Sequence, residues 1–336
     1  MAFFEALRAA ASRYAAGVHF LGRPADARAM QALAERAGWP LPSTYRDFLR
    51  SFDGVALFLE AQTLLPCDEI QPVPGVPQGR AYLHIGDCSD GALWLDPAGK
   101  ISLADESAPD PIVVGSHIEA YLESTLAREA LVVDRQGEFR EVFVGDDELD
   151  PTVRKKRAKL GQRHDPGAAL PLLELAELAY EEGDAESAQA ALQQAVQLDP
   201  LAGPAWGLLA ALYHAAGQLT GAEHAALQAA SGTWHGPLQA SRLLQAARAC
   251  PMRATQHARE AWRADPQLAE RLLGEAQAAL DAAEVAEARH LVDQLQLLLA
   301  AAPVEGTEAA QLGQAQQKLD ALAKQVRTRS ALHVVE

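Results

Sequence analysis

The side chains that could do chemistry concentrate between residues 84 and 110. Asp87, Asp90, Asp96, Asp105, Glu106 and Asp110 crowd this stretch. Paired carboxylates can act as general acid and base, but only where burial separates their pKa values. Aspartates in short loops more often form turns in water. The pattern therefore predicts an acidic binding rim made of Asp87, Asp90, Asp96, Asp105 and Glu106. Trp94 reads equally as an aromatic anchor for that rim and as ordinary core. His84 and Cys88 are four apart and Cys67 could join them, yet no second His or Cys pair completes a tetrahedral metal site. A Cys88 nucleophile with His84 as base lacks an orienting group and an oxyanion cradle. Ile85-Gly-Asp-Cys-Ser-Asp-Gly91 has no Lys to hold a phosphate. The expectation is a protein with no catalytic residue, cofactor, metal or small-molecule substrate.

The elements that would position these residues follow from periodicity. Phe3, Phe4, Leu7, Ala10, Ala11 and Tyr14 fall on one helical stripe. A second helix is predicted from about Pro24 to Arg36, stopped by Gly38, and a third from Pro42 to Phe52, stopped by Gly54. Beyond Gly54 the pattern becomes extended: 55–59, 63–65, 82–85, 92–95, 100–103 and 112–114 are short apolar runs separated by Gly, Pro and Asp. Asp96-Pro-Ala-Gly99 is a turn between two of them. Ser116 could cap a helix running to about Leu126, and a last hairpin could form around Gly137. Helices, several antiparallel strands and a further helix make an α+β domain over residues 1–145.

These residues carry a resemblance. Leu41-Pro-x-x-Tyr-x-x-Phe-Leu-x-x-x-x-Gly54 leads to Leu65-x-x-x-Glu69-Ile70. Ile85-Gly-Asp-x-x-x-Gly91 then leads into Trp94-Leu-Asp96, and Val114-x-Ser116-x-x-x-Tyr121-Leu122 completes the series. In order and spacing the four pieces resemble the SUKH superfamily, of Smi/Knr-like and bacterial immunity-type domains, over roughly the first 125–145 residues. Asp53 stands where Asn is more usual, and the turn tolerates either. The resemblance implies helices packed on a mainly antiparallel sheet. It also implies non-enzymatic recognition, commonly the neutralising of a secreted toxin.

Residues 146–166 read as a charged linker, acidic from Asp146 to Asp150 and basic through Arg154-Lys-Lys-Arg157, Lys159 and Arg163. From residue 167 to about 330 a spacing of 34 residues recurs. It relates Leu172 to Trp206, Leu175 to Leu209, Gly183 to Gly217, Ala188 to Ala222 and Ala195 to Ala229. Such a period with Gly between apolar runs predicts stacked helix-turn-helix repeats. Trp206-x-x-Leu209, Tyr213, Gly217 and Ala222 resemble the tetratricopeptide pattern. Four units are predicted, the fourth (267–303) out of register, followed by a capping helix over 305–329. The groove positions include Glu177, Tyr180, Glu181 and His214. Two glutamates there disfavour capture of a terminal carboxylate and suit a basic or apolar helix, unless another part of this chain fills the groove.

The 336 residues suffice for two domains and the formal net charge is −16. Residues 1–150 hold 12 Lys+Arg and 24 Asp+Glu, a net of −12; residues 151–336 hold 17 and 21, a net of −4. The acidic first part argues against nucleic acid and favours a protein partner with a basic surface. Three cysteines without paired spacing imply no disulfide framework. No membrane span or secretory signal is read, so a cytoplasmic protein is expected. Two functions fit. One is an immunity-type protein that binds and neutralises a basic toxin, such as a nuclease. The other is an adaptor linking different partners through its two parts.

Overall fold

The computed structural model describes residues 2–105, 110–144, 148–282, 284–301 and 308–333. Contacts divide the chain into two compact units, Met1–Ala205 and Trp206–Glu336.

The first unit opens with α1 (Ala2–Ala11), β1 (Phe20–Leu21), α2 (Ala27–Ala37) and α3 (Ser43–Leu49). Asp26 caps α2 by accepting from the Ala29 N–H, and Gly38 ends it at φ 76°, a left-handed conformation that Gly takes without strain. Then come β2 (Val55–Leu57), β3 (Gln62–Leu64), β4 (Gln71–Pro72), β5 (Leu83–Cys88), β6 (Gly91–Leu95), β7 (Ile101–Ala104) and β8 (Ile112–Gly115). Among the described residues they form one antiparallel sheet in the order β1-β2-β3-β5-β6-β7-β8, with β4 also paired to β5. Tyr45, Phe48, Leu49 and Phe52 from the helical side pack with Leu57, Ile85, Leu93 and Leu95 from the sheet in one buried cluster. Asp53 ties the turn before Gly54 to the sheet side by accepting the Cys67 N–H at 2.7 Å.

Helix α4 (Ile118–Glu129) follows the sheet. Its cap is His117, whose Nδ1 accepts from the Ala120 N–H, and not the expected Ser116. The hairpin expected around Gly137 is reduced to one bridge, Val133 to Phe139. Strand β9 (Phe143–Val144) pairs instead with β10 (Glu148–Leu149).

Most of the expected linker is helix α5 (Pro151–His164), capped by Asp150 and carrying Pro at its start. It packs between α4 and α6 (Leu170–Glu181), which pairs with α7 (Ala185–Leu198). Gly161 permits the approach, since a Cβ there would stand 2.9 Å from Pro171. Asp165-Pro166 after α5 and Asp199-Pro200 after α7 are themselves 34 residues apart, so α5 holds the place of a second helix in a preceding repeat. Both aspartates turn onto the open edge of β8. Asp165 Oδ2 accepts the Ser116 N–H at 2.6 Å and Asp199 Oδ2 accepts the Val113 N–H at 3.0 Å. The Ala169 N–H donates to the Val113 carbonyl. The repeat loops thus satisfy backbone groups that an exposed sheet edge would offer to another strand.

Helix α8 (Gly203–Ala215) crosses the boundary between the units. The second unit continues with α9 (Leu219–Gly232), α10 (Gly236–Ala249), α11 (Ala254–Ala264), α12 (Leu268–Asp281), α13 (Val285–Ala301) and α14 (Glu308–His333). The fold class is the expected one, α+β followed by tetratricopeptide-like helical hairpins. The turns at Gly183 and Gly217 both have positive φ, 79° and 71°. The last pair departs from repeat order: of its two helices it is α13, and not α12, that packs chiefly on α10 and α11, and α14 packs on both α12 and α13.

Candidate functional site

The acidic rim separates into two places. Asp87 is next to last in β5, Asp90 sits in the β5–β6 turn and Asp105 follows β7, so these three share one end of the sheet, and all are exposed. Asp87 Oδ1 accepts from His84 Nε2 at 2.9 Å, and the Gly86 carbonyl lies 3.0 Å from the same nitrogen. Asp96 lies at the other end of β6, a strand length or about 15 Å away. It is a turn former, its Oδ1 accepting the Lys100 N–H at 2.8 Å. Trp94 is 2% exposed with its ring 5.7 Å from Tyr82, so it is core and cannot anchor a partner. Glu106 lies outside the described residues. Burial first, then a hydrogen bond to Asp53, pushes the Cys67 thiol up to about 12, and burial also raises Cys88. Neither sulfur is poised as a nucleophile.

The groove residues also divide. Glu177, Tyr180 and Glu181 are exposed on α6. Here the chain answers its own charges. Arg154 of α5 holds Glu181 through both guanidinium nitrogens at 3.1 and 3.2 Å, and Lys155 holds Glu182 at 2.9 Å. Arg128 of α4 donates to Glu174 at 2.5 Å, and Arg157 pairs with Glu129. Arg154, Lys155 and Arg157 of the basic stretch are therefore answered by carboxylates of α4 and of α6 and its C-cap, while Lys156, Lys159 and Arg163 remain exposed. Of these acids Glu177 forms no ion pair among the described residues; although its side chain reaches the surface, the protein packed around its carboxylate, then the neighbouring Glu174, raises its pKa against the opposing pull of Arg154.

His214 belongs to the second unit, where the chemistry is reversed. Ala211, His214 and Ala215 of α8, Ser241, Gln245 and Arg248 of α10, and His290 and Gln294 of α13 line a cleft of about 320 Å³. Arg248 Nη1 lies 2.9 Å from His290 Nε2, and Gln294 Nε2 lies 2.8 Å from the same nitrogen. Both neighbours are donors, so His290 Nε2 accepts and the ring is neutral. Burial, then Arg248, holds the His290 pKa below the usual imidazole value, against the opposing pull of Glu287 and Asp293. No carboxylate among the described residues forms an ion pair with Arg248. The cleft presents guanidinium, amide, hydroxyl and imidazole groups; two of its walls, α8 and α10, contain no Asp or Glu, and the third, α13, carries Glu287 and Asp293 outside the lining.

Sequence reasoning named His214 and missed Arg248, His290, Gln245 and Gln294. One signal was present. From Leu201 to Arg259 the chain has a single carboxylate, Glu223, and that one is buried against His257 (2.7 Å) and Arg253 (2.6 Å). A stretch whose single acid is buried, within a chain of net charge −16, marks a surface from which negative charge is excluded. A second missed feature lies in the first unit. Phe58, Leu59 and Glu60 have successive φ values of 53°, 57° and 71°, a strained left-handed run that leaves Leu59 exposed. Phe20, Phe139 and Phe143 are exposed as well.

With this geometry in place, comparison with known proteins identifies one segment. Residues 179–231 match the tetratricopeptide repeat family. The match runs from the end of α6 to α9. No curated protein matches the sequence. Among solved structures, one described as the functional characterization of Pseudomonas aeruginosa pilF is similar, at 15% identity over 53% of this chain and 80% of that chain, with a TM-score of 0.34. So slight a likeness has no bearing on function. Tetratricopeptide repeats are protein-interaction elements, and a protein-binding role is the reading the matched segment supports. Among the described residues no helix is long and apolar enough to cross a membrane.

Proposed function

We propose that this chain is a non-enzymatic adaptor that holds one protein partner on its α+β part and another on its helical repeats. The first 145 residues are read as a SUKH-like recognition domain, whose net charge of −12 over residues 1–150 favours a partner with a basic surface. The observation that carries the adaptor reading is the second unit's cleft, where Arg248 has no carboxylate partner among the described residues. Surfaces of opposite sign suit two different partners better than one.

The test is affinity capture with the full-length protein and two charge-reversed forms. One carries Asp87→Lys, Asp90→Lys and Asp105→Lys; the other carries Arg248→Glu. The adaptor reading expects each form to lose a different protein. Loss of the same single protein from both would defeat it.

The acidic first part also favours a second reading, an immunity-type protein that neutralises a basic toxin. That reading expects a complex with a basic effector at low salt which the three Asp→Lys changes abolish. Absence of any such complex would remove it.

A further inference from the structure

The cleft between α8, α10 and α13 has the makings of a site for negative charge. Arg248 is half-buried at its wall, fixed by a hydrogen bond to neutral His290. A guanidinium carries five N–H donors in a planar fork, and His290 takes one of them. Gln294 Nε2 lies 2.8 Å from the same imidazole nitrogen and shares its single lone pair with Arg248. Gln245 reaches the Gly207 carbonyl only at 3.5 Å, and Ser241 and His214 line the same space. A volume of about 320 Å³ exceeds that of a lone carboxylate and suits a short peptide segment.

We propose that this cleft binds the carboxylate side chains of an acidic segment of a partner protein, with Arg248 as the anchoring cation and His290 as the residue that positions it. The proposal rests on the adaptor reading for its choice of a protein ligand, and it names the chemistry of the partner on the repeat side. It replaces the basic or apolar helix expected from Glu177 and Glu181, because those acids belong to α6, where the chain's own Arg154 already answers Glu181. Three observations point the same way: the cation without a carboxylate partner, walls from α8 and α10 that contain no acid, and a neutral His that accepts from the guanidinium and does not compete with it. A protein of net charge −16 repels acidic peptides in general, so saturable binding of one reports a local site.

The experiment uses the full-length protein and four fluorescent probes: an amidated tetraglutamate peptide, its tetraglutamine counterpart, an amidated tetralysine peptide, and a tetra-alanine peptide with a free C-terminal carboxylate. Inorganic phosphate serves as competitor. Tetraglutamate should bind saturably, weaken with added salt, and lose about tenfold or more in affinity with Arg248→Ala, as expected when one partner of a charge-assisted pair is removed. Arg248→Lys should recover part of the loss, because it restores charge without the fork. His290→Ala should weaken binding less than Arg248→Ala and reduce the Arg-over-Lys advantage at position 248, a change that simple loss of packing would not produce. Unchanged thermal unfolding of each variant shows that the fold is intact. Equal binding of tetraglutamine, preference for tetralysine, or an unaffected Arg248→Ala variant would overturn the proposal. So would preference for the tetra-alanine terminus, or displacement by phosphate at concentrations similar to the peptide's. If tetraglutamate fails while Arg248→Glu still loses a captured partner, the ligand chemistry is wrong and the adaptor reading stands. If the peptide binds but no partner is lost, the reverse holds.

Discussion

The two stretches of helical repeat treat charge in opposite ways. On α6, Glu174, Glu181 and Glu182 each meet a cation from α4 or α5. On α8 and α10 there is no acid at all, and Arg248 meets a neutral imidazole. A charge answered from within the chain contributes to folding and little to recognition. A charge left without its opposite is available to a partner. The difference separates groups whose removal should lower stability from those whose removal should lower affinity.

The largest expected effect is at a closed pair within the second unit. Glu223 and His257 are 34 residues apart, both with side chains 4% exposed, and they hydrogen bond at 2.7 Å. Glu223→Ala leaves His257 and Arg253 without their carboxylate and should lower unfolding free energy by about 3–5 kcal/mol, read from urea denaturation. A loss below about 1 kcal/mol would mean that closed charges matter less here than their burial implies.

Asp199→Ala comes next. It removes the acceptor for the Val113 and Leu201 N–H groups and should cost about 1–3 kcal/mol. Burial is the chief cause that raises the Asp199 pKa. The folded state therefore holds this proton more firmly than the unfolded chain. The Asp199 contribution is greatest below its unfolded value and diminishes as pH rises through the folded one. Asp199→Asn keeps an acceptor for the Val113 N–H, so it should cost less than Ala and flatten that part of the stability profile, measured as Tm against pH.

His290 titrates in the other direction. Its lowered pKa means that the folded state releases the proton sooner, so its contribution is present above the ordinary imidazole value and is lost as pH falls through the lowered one. His290→Gln should remove this component from Tm measured across that window. A profile identical to the parent's would show that the Arg248–His290 contact does not bear on folding.

The smallest effect is expected at the exposed closed pairs. Arg154→Ala should change stability by about 0–1 kcal/mol, since Glu181 is 53% exposed and water screens the pair. Arg248→Ala should likewise shift unfolding by less than about 1 kcal/mol while weakening acidic-peptide binding. Similar losses of stability from both would erase the contrast between answered and unanswered charge.

The α+β part was largely legible. The apolar runs 82–85, 92–95 and 100–103, with Asp96-Pro-Ala-Gly99 between the last two, fell on β5, β6 and β7, although β5 extends three residues further, to Cys88. The acidic rim was legible only as composition. Which aspartates share an end of the sheet depends on strand register, and Trp94 could be assigned to core only from its burial against Tyr82. The basic run 154–163 read as a linker because its charges hid the small residues Ala158 and Gly161 that bury α5. Asp165-Pro166, in phase with Asp199-Pro200, was the available clue to its place in the repeat.

The sequence by itself determined the helical hairpins, their 34-residue period and the turns at Gly183 and Gly217, because apolar phase and glycine conformation act over a few residues. Only the tertiary structure decided that α13 and not α12 would pack on α10 and α11, bringing His290 and Gln294 to Arg248. That choice depends on which of two similar apolar faces fits a surface more than forty residues earlier in the chain, and local periodicity carries no information about such a fit.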